Sequence, residues 1–143
     1  LDRVSDRAAV MLEKALHYND DGFFDGLALN LHGYYAGVER IFEDIARTVD
    51  GSLPSGADWH RDLLLQMSSE VSAIRPAVIR RDVRTCLDEY RSFRHIVRNV
   101  YTFNLRPSRL QELTEELADC HAEVTTDLRG FIEYLRQIGL DAE

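Results

Sequence analysis

Three arginines, a histidine, an amide and a tyrosine fall within Arg91-Ser-Phe-Arg94-His95-Ile-Val-Arg98-Asn99-Val-Tyr101. Helical residues three, four and seven apart share a face, so Arg91, Arg94, Arg98 and Tyr101 form one stripe. His95 and Asn99, four apart, make a second polar pair beside it. Phe93, Val97 and Val100 lie largely off the stripe and can face a core. A solvated arginine face paired with Asp88 and Glu89 is the plainer reading. Against it, Tyr101 continues the stripe and the helical pattern breaks just after it. Guanidinium groups also grip phosphate oxygens at two points. The chemistry implied is anion binding, with the phosphate of a nucleic acid or nucleotide as the anion.

The elements that must hold this stripe are all helical. Val4, Ala8, Met11, Leu12, Ala15 and Leu16 recur at helical spacing, and Asn19-Asp20-Asp21-Gly22 ends that run with turn chemistry. A second helix is expected over 25–49, with Leu27, Leu31, Tyr34, Tyr35, Val38, Ile41, Phe42 and Ile45 on its buried face. A loop containing Pro54 and Gly56 follows. Asp58 is placed to cap a short helix carrying Trp59, Leu63, Leu64 and Met67. Pro76 makes residues 72–79 irregular. A third long helix begins near Arg80 or Arg81, turns Val83, Leu87, Tyr90, Phe93, Val97 and Val100 inward, and loosens after Tyr101. Pro107 suits the first position of the last helix. That helix uses Leu110, Leu113, Leu117, Val124, Leu128, Phe131 and Leu135, with Gly139 as its stop. At ~1.5 Å per residue it spans on the order of 45 Å, more than one small bundle covers, so part of its apolar edge is available to a second copy. No stretch alternates with period two. The expectation is an all-α fold, an antiparallel four-helix bundle with an additional short helix, as a single domain over residues 1–143.

Composition narrows the function. With 143 residues, 45% hydrophobic and 29% charged, the chain has the make-up of an ordinary globular domain. A net charge of −8 argues against nonspecific coating of nucleic acid. The charge is uneven: arginines at 75, 80, 81, 84, 91, 94 and 98 precede an acidic last third, which gives a local basic site on an acidic body. No apolar run approaches a membrane span and no signal-like start is seen, so a cytoplasmic location is expected. Cys86 and Cys120 lack metal-ligand or CxxC spacing and read as small buried residues in a reducing compartment.

Other candidates are weaker. His17, His32, His60, His95 and His121 are scattered without metal-ligand pairing, so neither metal nor cofactor is expected. His60, beside Trp59 at a helix start, reads as packing or a helix-end hydrogen bond. Glu39 lies one turn from Tyr35 and reads as a structural partner for a tyrosine hydroxyl or an arginine of the basic helix. There is no glycine-rich phosphate loop and no GxSxG.

Phe93-Arg94-His95-Ile-Val-Arg98-Asn99-Val-Tyr101, followed by Phe103-Asn-Leu105 and a leucine-rich helix, resembles the HEPN superfamily, specifically the HepT-like toxins. Leu31-His-Gly-Tyr-Tyr35-Ala-Gly-Val-Glu39-Arg-Ile-Phe, Leu53-Pro54 leading to Trp59-His60-Arg-Asp-Leu-Leu, and Ile74-Arg75-Pro76 agree with it in consistent order. The resemblance implies a helical bundle that forms a homodimer, with two copies of the motif facing one cleft. It also implies metal-independent RNA cleavage, tRNA being one candidate substrate, by attack of a 2′-hydroxyl on the adjacent phosphate. By the same resemblance the partner is a minimal nucleotidyltransferase antitoxin, with Tyr101 as the acceptor of its AMP. Added phosphates there would lie among Arg91, Arg94 and Arg98 and keep RNA from the same charges.

The family pattern is Arg, four residues, His, one residue, Tyr. Arg94, its polar follower His95, and Tyr101 match it; Asn99 occupies the histidine position. An amide cannot exchange a proton near neutral pH as an imidazole does. Arg94 and Arg98 retain the ability to neutralise a phosphate and its transition state. Three readings follow. His95 supplies the proton transfer, the chain is a binding-only HEPN module for a nucleotide, RNA or protein, or the asparagine was introduced to make a toxic enzyme tolerable.

Overall fold

A computed structural model describes residues 2–18, 21–99 and 107–141, with side chains described for residues 2–13, 26–93 and 108–139. The described residues form α1 (Asp2–Tyr18), α2 (Asp21–Ile45), α3 (Trp59–Met67), α4 (Arg81–Asn99) and α5 (Pro107–Asp141), four long helices and a short one. Apart from one isolated bridge between Val71 and Arg75, no strand pairing occurs among them. The all-α expectation holds.

Burial follows the apolar periodicity. Leu27, Leu31, Tyr34, Tyr35, Val38 and Phe42 of α2 are all buried, with Ile41 and Ile45 packed at the margin. Val83, Leu87, Tyr90 and Phe93 meet them from α4, and Leu110, Leu113, Leu117, Val124 and Phe131 from α5. Burying each such large side chain contributes about 1.5–3 kcal/mol. Polar links set the register of this core. Asn30 Nδ2 donates to the Val4 carbonyl at 2.7 Å, and Tyr90 Oη donates to the Leu113 carbonyl at 2.7 Å. Tyr34 Oη lies 3.1 Å from His121 Nδ1, whose other nitrogen reaches Asp2, so one chain of contacts ties α1, α2 and α5.

Four local expectations are corrected. The second helix starts at Asp21 rather than near 25, so Gly22 lies inside it. It runs to Ile45 and continues as a wider π-helical turn, Ala46–Asp50, ended by Gly51 at φ 68°. Asp58 precedes α3, yet its side chain makes no capping bond; its backbone carbonyl accepts the Asp62 N–H at 3.0 Å. Gly139 does not end α5, which continues to Asp141 and spans about 52 Å. A lone glycine costs a helix only about 1 kcal/mol, too little to stop one already propagated over eight turns.

The two cysteines were expected to be reduced; instead Cys86 and Cys120 are joined by a disulfide, with Cα atoms 6.1 Å apart. The antiparallel register of α4 against α5 brings together residues 34 positions apart in sequence, which local spacing cannot reveal. The bond pins α4, the helix of the arginine motif, to α5. Among the described residues no helix is long and apolar enough to cross a membrane.

Candidate functional site

α4 carries Arg91, Arg94, His95, Arg98 and Asn99 along three turns of continuous helix. The side chains of Arg94, His95, Arg98 and Asn99 lie outside the described residues, as do Tyr101 and the expected break after it. Arg91 is described: its Nε donates to Asp88 at 2.7 Å, and about a quarter of its side chain is exposed. Glu89, expected beside the arginines, turns instead toward Glu116 of α5. A hydrogen bond from the protonated Glu116 to Glu89, then burial and the charge of Glu89, push the Glu116 carboxyl above its ordinary range.

The basic segment therefore divides. Arg75 is buried and takes up Asp50, while Arg80 binds Asp127 and Glu123. Arg84 donates to Ser68 Oγ at 3.0 Å. Arg75 is taken up wholly within the fold, and Arg80 and Arg84 already have partners there. A cavity of about 470 Å³ between α4 and α5 is lined by Asp82, Glu116, Asp119 and Glu123 with Arg80. Its carboxylates would repel a polyanion.

A second constellation joins α2 and α3. On α2, Glu39 is four residues from Tyr35 and three from Phe42, which places a carboxylate on the apolar stripe; its side chain is 4% exposed. On α3, His60 is three, four and seven residues from the buried Leu63, Leu64 and Met67, so it too lies on an inward face. The two meet: His60 Nδ1 is 2.7 Å from Glu39 Oε2. The Trp59 indole stacks on the imidazole with ring centroids 3.7 Å apart. An ionised carboxylate only accepts hydrogen bonds, so Nδ1 is the donor, and in the neutral ring the lone pair is on Nε2. No other hydrogen bond to His60 is formed among the described residues.

Topology brings this pair toward the motif. α3 and α4 are antiparallel: Ser68 meets Arg84, and Arg61 and Leu65 share a recess with Arg84, Thr85 and Asp88. Moving back along α3 to His60 thus moves forward along α4, past Asp88 toward Arg91 and the turn of Arg94. α2 meets α4 through Tyr34 and Tyr90, whose ring centroids are 6.0 Å apart.

The profile of one family, described as HepT-like protein, matches residues 26–135, most of the chain and all of α3 and α4. The chain belongs to the HepT-like family. It is thereby a HEPN-superfamily protein, and a toxin-type function follows in general terms. No curated protein and no solved structure matches it. The matched span includes both Arg91–Tyr101 and the Glu39–His60 pair.

Sequence reading treated Glu39 and His60 as separate, ordinary residues. The signal available was a polar residue on each of two apolar stripes, a costly placement unless the two satisfy each other. Their pairing across 21 residues lay beyond local pattern. Among the described residues no three metal-ligating side chains cluster.

Proposed function

We propose that this HepT-like protein is the ribonuclease toxin of a toxin–antitoxin pair, acting as a homodimer on RNA, with tRNA as a candidate substrate. The observation that carries the reading is the family match extending through the whole Arg91–Tyr101 segment. Arg94 stabilises the phosphate as charge develops on it. Arg91 and Arg98 bind flanking phosphates. His95 positions the scissile group or moves protons, and Asn99 hydrogen-bonds it. Exposed Ile132, Leu135 and Ile138 at the end of α5 leave an apolar edge that supports dimer formation.

Regulation in this reading is covalent. A nucleotidyltransferase antitoxin transfers AMP from ATP to the Tyr101 hydroxyl with release of pyrophosphate. The added phosphate then competes with RNA for Arg94 and Arg98. Intact mass after incubation with such a partner and ATP tests this, and a mass gain that survives Tyr101→Phe contradicts it.

Asn99 favours a second reading, a HEPN module that binds without cutting. Incubation with total RNA separates the two. Cleavage by the chain as it stands supports the toxin. RNA left intact, with cleavage appearing in Asn99→His, supports the binding module.

A further inference from the structure

Asn99 leaves the motif without a group that can accept a proton at position 99, yet a base is needed for a 2′-hydroxyl to attack phosphorus. We propose that His60, held by Glu39 and stacked on Trp59, is the proton-transfer group of the nuclease site. The inference rests on the ribonuclease reading and adds to it a base from a different helix.

Three observations carry it. The imidazole is oriented by a carboxylate that is itself buried, at 2.7 Å, and this fixes the tautomer with its lone pair on Nε2. The ring is pinned by the Trp59 stack yet remains about a quarter exposed, so a substrate atom can reach it. A histidine needed only for packing on the face of Leu63, Leu64 and Met67 would require neither an exposed edge nor a charged partner. The antiparallel run of α3 and α4 also carries His60 beyond Asp88 toward the Arg91–Arg94 turns. Asp88, which lines the recess beside Arg61, is ion-paired to Arg91.

The step balances without a metal or an outside reagent. The 2′-hydroxyl gives its proton to His60 Nε2 as its oxygen bonds to phosphorus. The bond from phosphorus to the 5′-oxygen breaks, and that oxygen takes a proton from water. The products are a 2′,3′-cyclic phosphate and a 5′-hydroxyl, and His60 returns its proton to solvent. Glu39 is a positioning residue: it holds the ring and stabilises the imidazolium while it lasts. Trp59 fixes the plane of the ring.

The test compares the full chain with His60→Ala and Glu39→Gln on tRNA, following cleavage rate and RNA affinity separately, with and without added imidazole. His60→Ala is expected to cut about 100-fold more slowly at nearly unchanged affinity, and free imidazole should restore part of the rate. Glu39→Gln should lose less, because the ring remains. His60→Gln, whose amide can still donate to Glu39, replaces the alanine variant if that one melts. Cleavage at full rate by His60→Ala overturns the proposal and leaves the ribonuclease reading intact. So does a loss that imidazole cannot restore and that is accompanied by weaker binding, since a packing role would give that result. An unaltered chain that binds tRNA without cutting it overturns the ribonuclease reading, and this inference with it.

Discussion

Two carboxylates near the C-terminal end of the same α2 path are buried to similar degrees, and they are used in opposite ways. Asp50, 2% exposed, receives Arg75 Nε at 2.6 Å and Nη2 at 2.7 Å, and Gln66 adds a third bond at 2.7 Å. The remaining N–H groups of Arg75 go to the carbonyls of Ser69, Pro76 and Gln66. All five donors of that guanidinium are used, and it cannot give up its proton. Glu39 instead holds an imidazole that keeps one nitrogen and a quarter of its surface open. A pair whose charges never change locks the fold; a pair whose imidazole keeps one nitrogen without a hydrogen bond among the described residues is the candidate for chemistry. Burial and charge alone do not separate structure from function here. Leftover hydrogen-bonding capacity does.

The sharpest way to break the comparison is at its closed half. Arg75→Ala leaves Asp50 buried without a countercharge, with only Gln66 bonded to it, and should cost about 3–5 kcal/mol of stability, read as a shift of the denaturant midpoint. Burial pushes the Asp50 carboxyl up, but bonds from Arg75 and Gln66 and the charge of Arg75 outweigh it, so the net shift is downward. A depressed carboxylate stabilises the fold above its unfolded value of about 3.9 and loses that contribution as pH falls through the folded value. Unfolding at neutral and acid pH should therefore show this loss in the unaltered chain and a smaller one in Asp50→Asn.

Reducing the Cys86–Cys120 bond comes next, at about 3–4 kcal/mol for a closed loop of this length. Unfolding with and without reductant measures it. The double serine variant should match the reduced protein. His60→Ala, at the open half, should cost only about 1–2 kcal/mol, well under Arg75→Ala, while its effect on cleavage is large. If the two variants destabilise equally, the distinction between closed and open pairs fails. Gly51→Ala perturbs the closed pair from its backbone side. Gly51 sits at φ 68° directly after Asp50, and a Cβ there should cost about 1 kcal/mol.

The helices were legible because long amphipathic runs announce themselves: α2 buries Leu27, Leu31, Tyr34, Tyr35, Val38 and Phe42, and α4 buries Val83, Leu87, Tyr90 and Phe93, while Val97 and Val100 lie outside the described side chains. Termini were less so. Asp58 has the right type for a cap, but its side chain makes no capping bond. Gly139 has the right type for a stop but too little energy to act as one in a 35-residue helix. Charge totals misled in a different way. Arg75, Arg80 and Arg84 counted toward a basic site, whereas each is bound to a partner within the fold. The disulfide and the Glu39–His60 pair both depend on register between helices, and a single sequence carries no register. Within the candidate site, α4 and its arginine order were readable; the pairing of His60 with Glu39 was not.

The central claim is that this HepT-like protein cuts RNA at a site built on Arg94. Its most direct test is incubation of the purified protein with tRNA in the presence of a chelator, followed by analysis of the new RNA ends. The account predicts fragments ending in a 2′,3′-cyclic phosphate, and their disappearance in Arg94→Ala. Intact tRNA with the unaltered chain, or cleavage that survives Arg94→Ala, would contradict it.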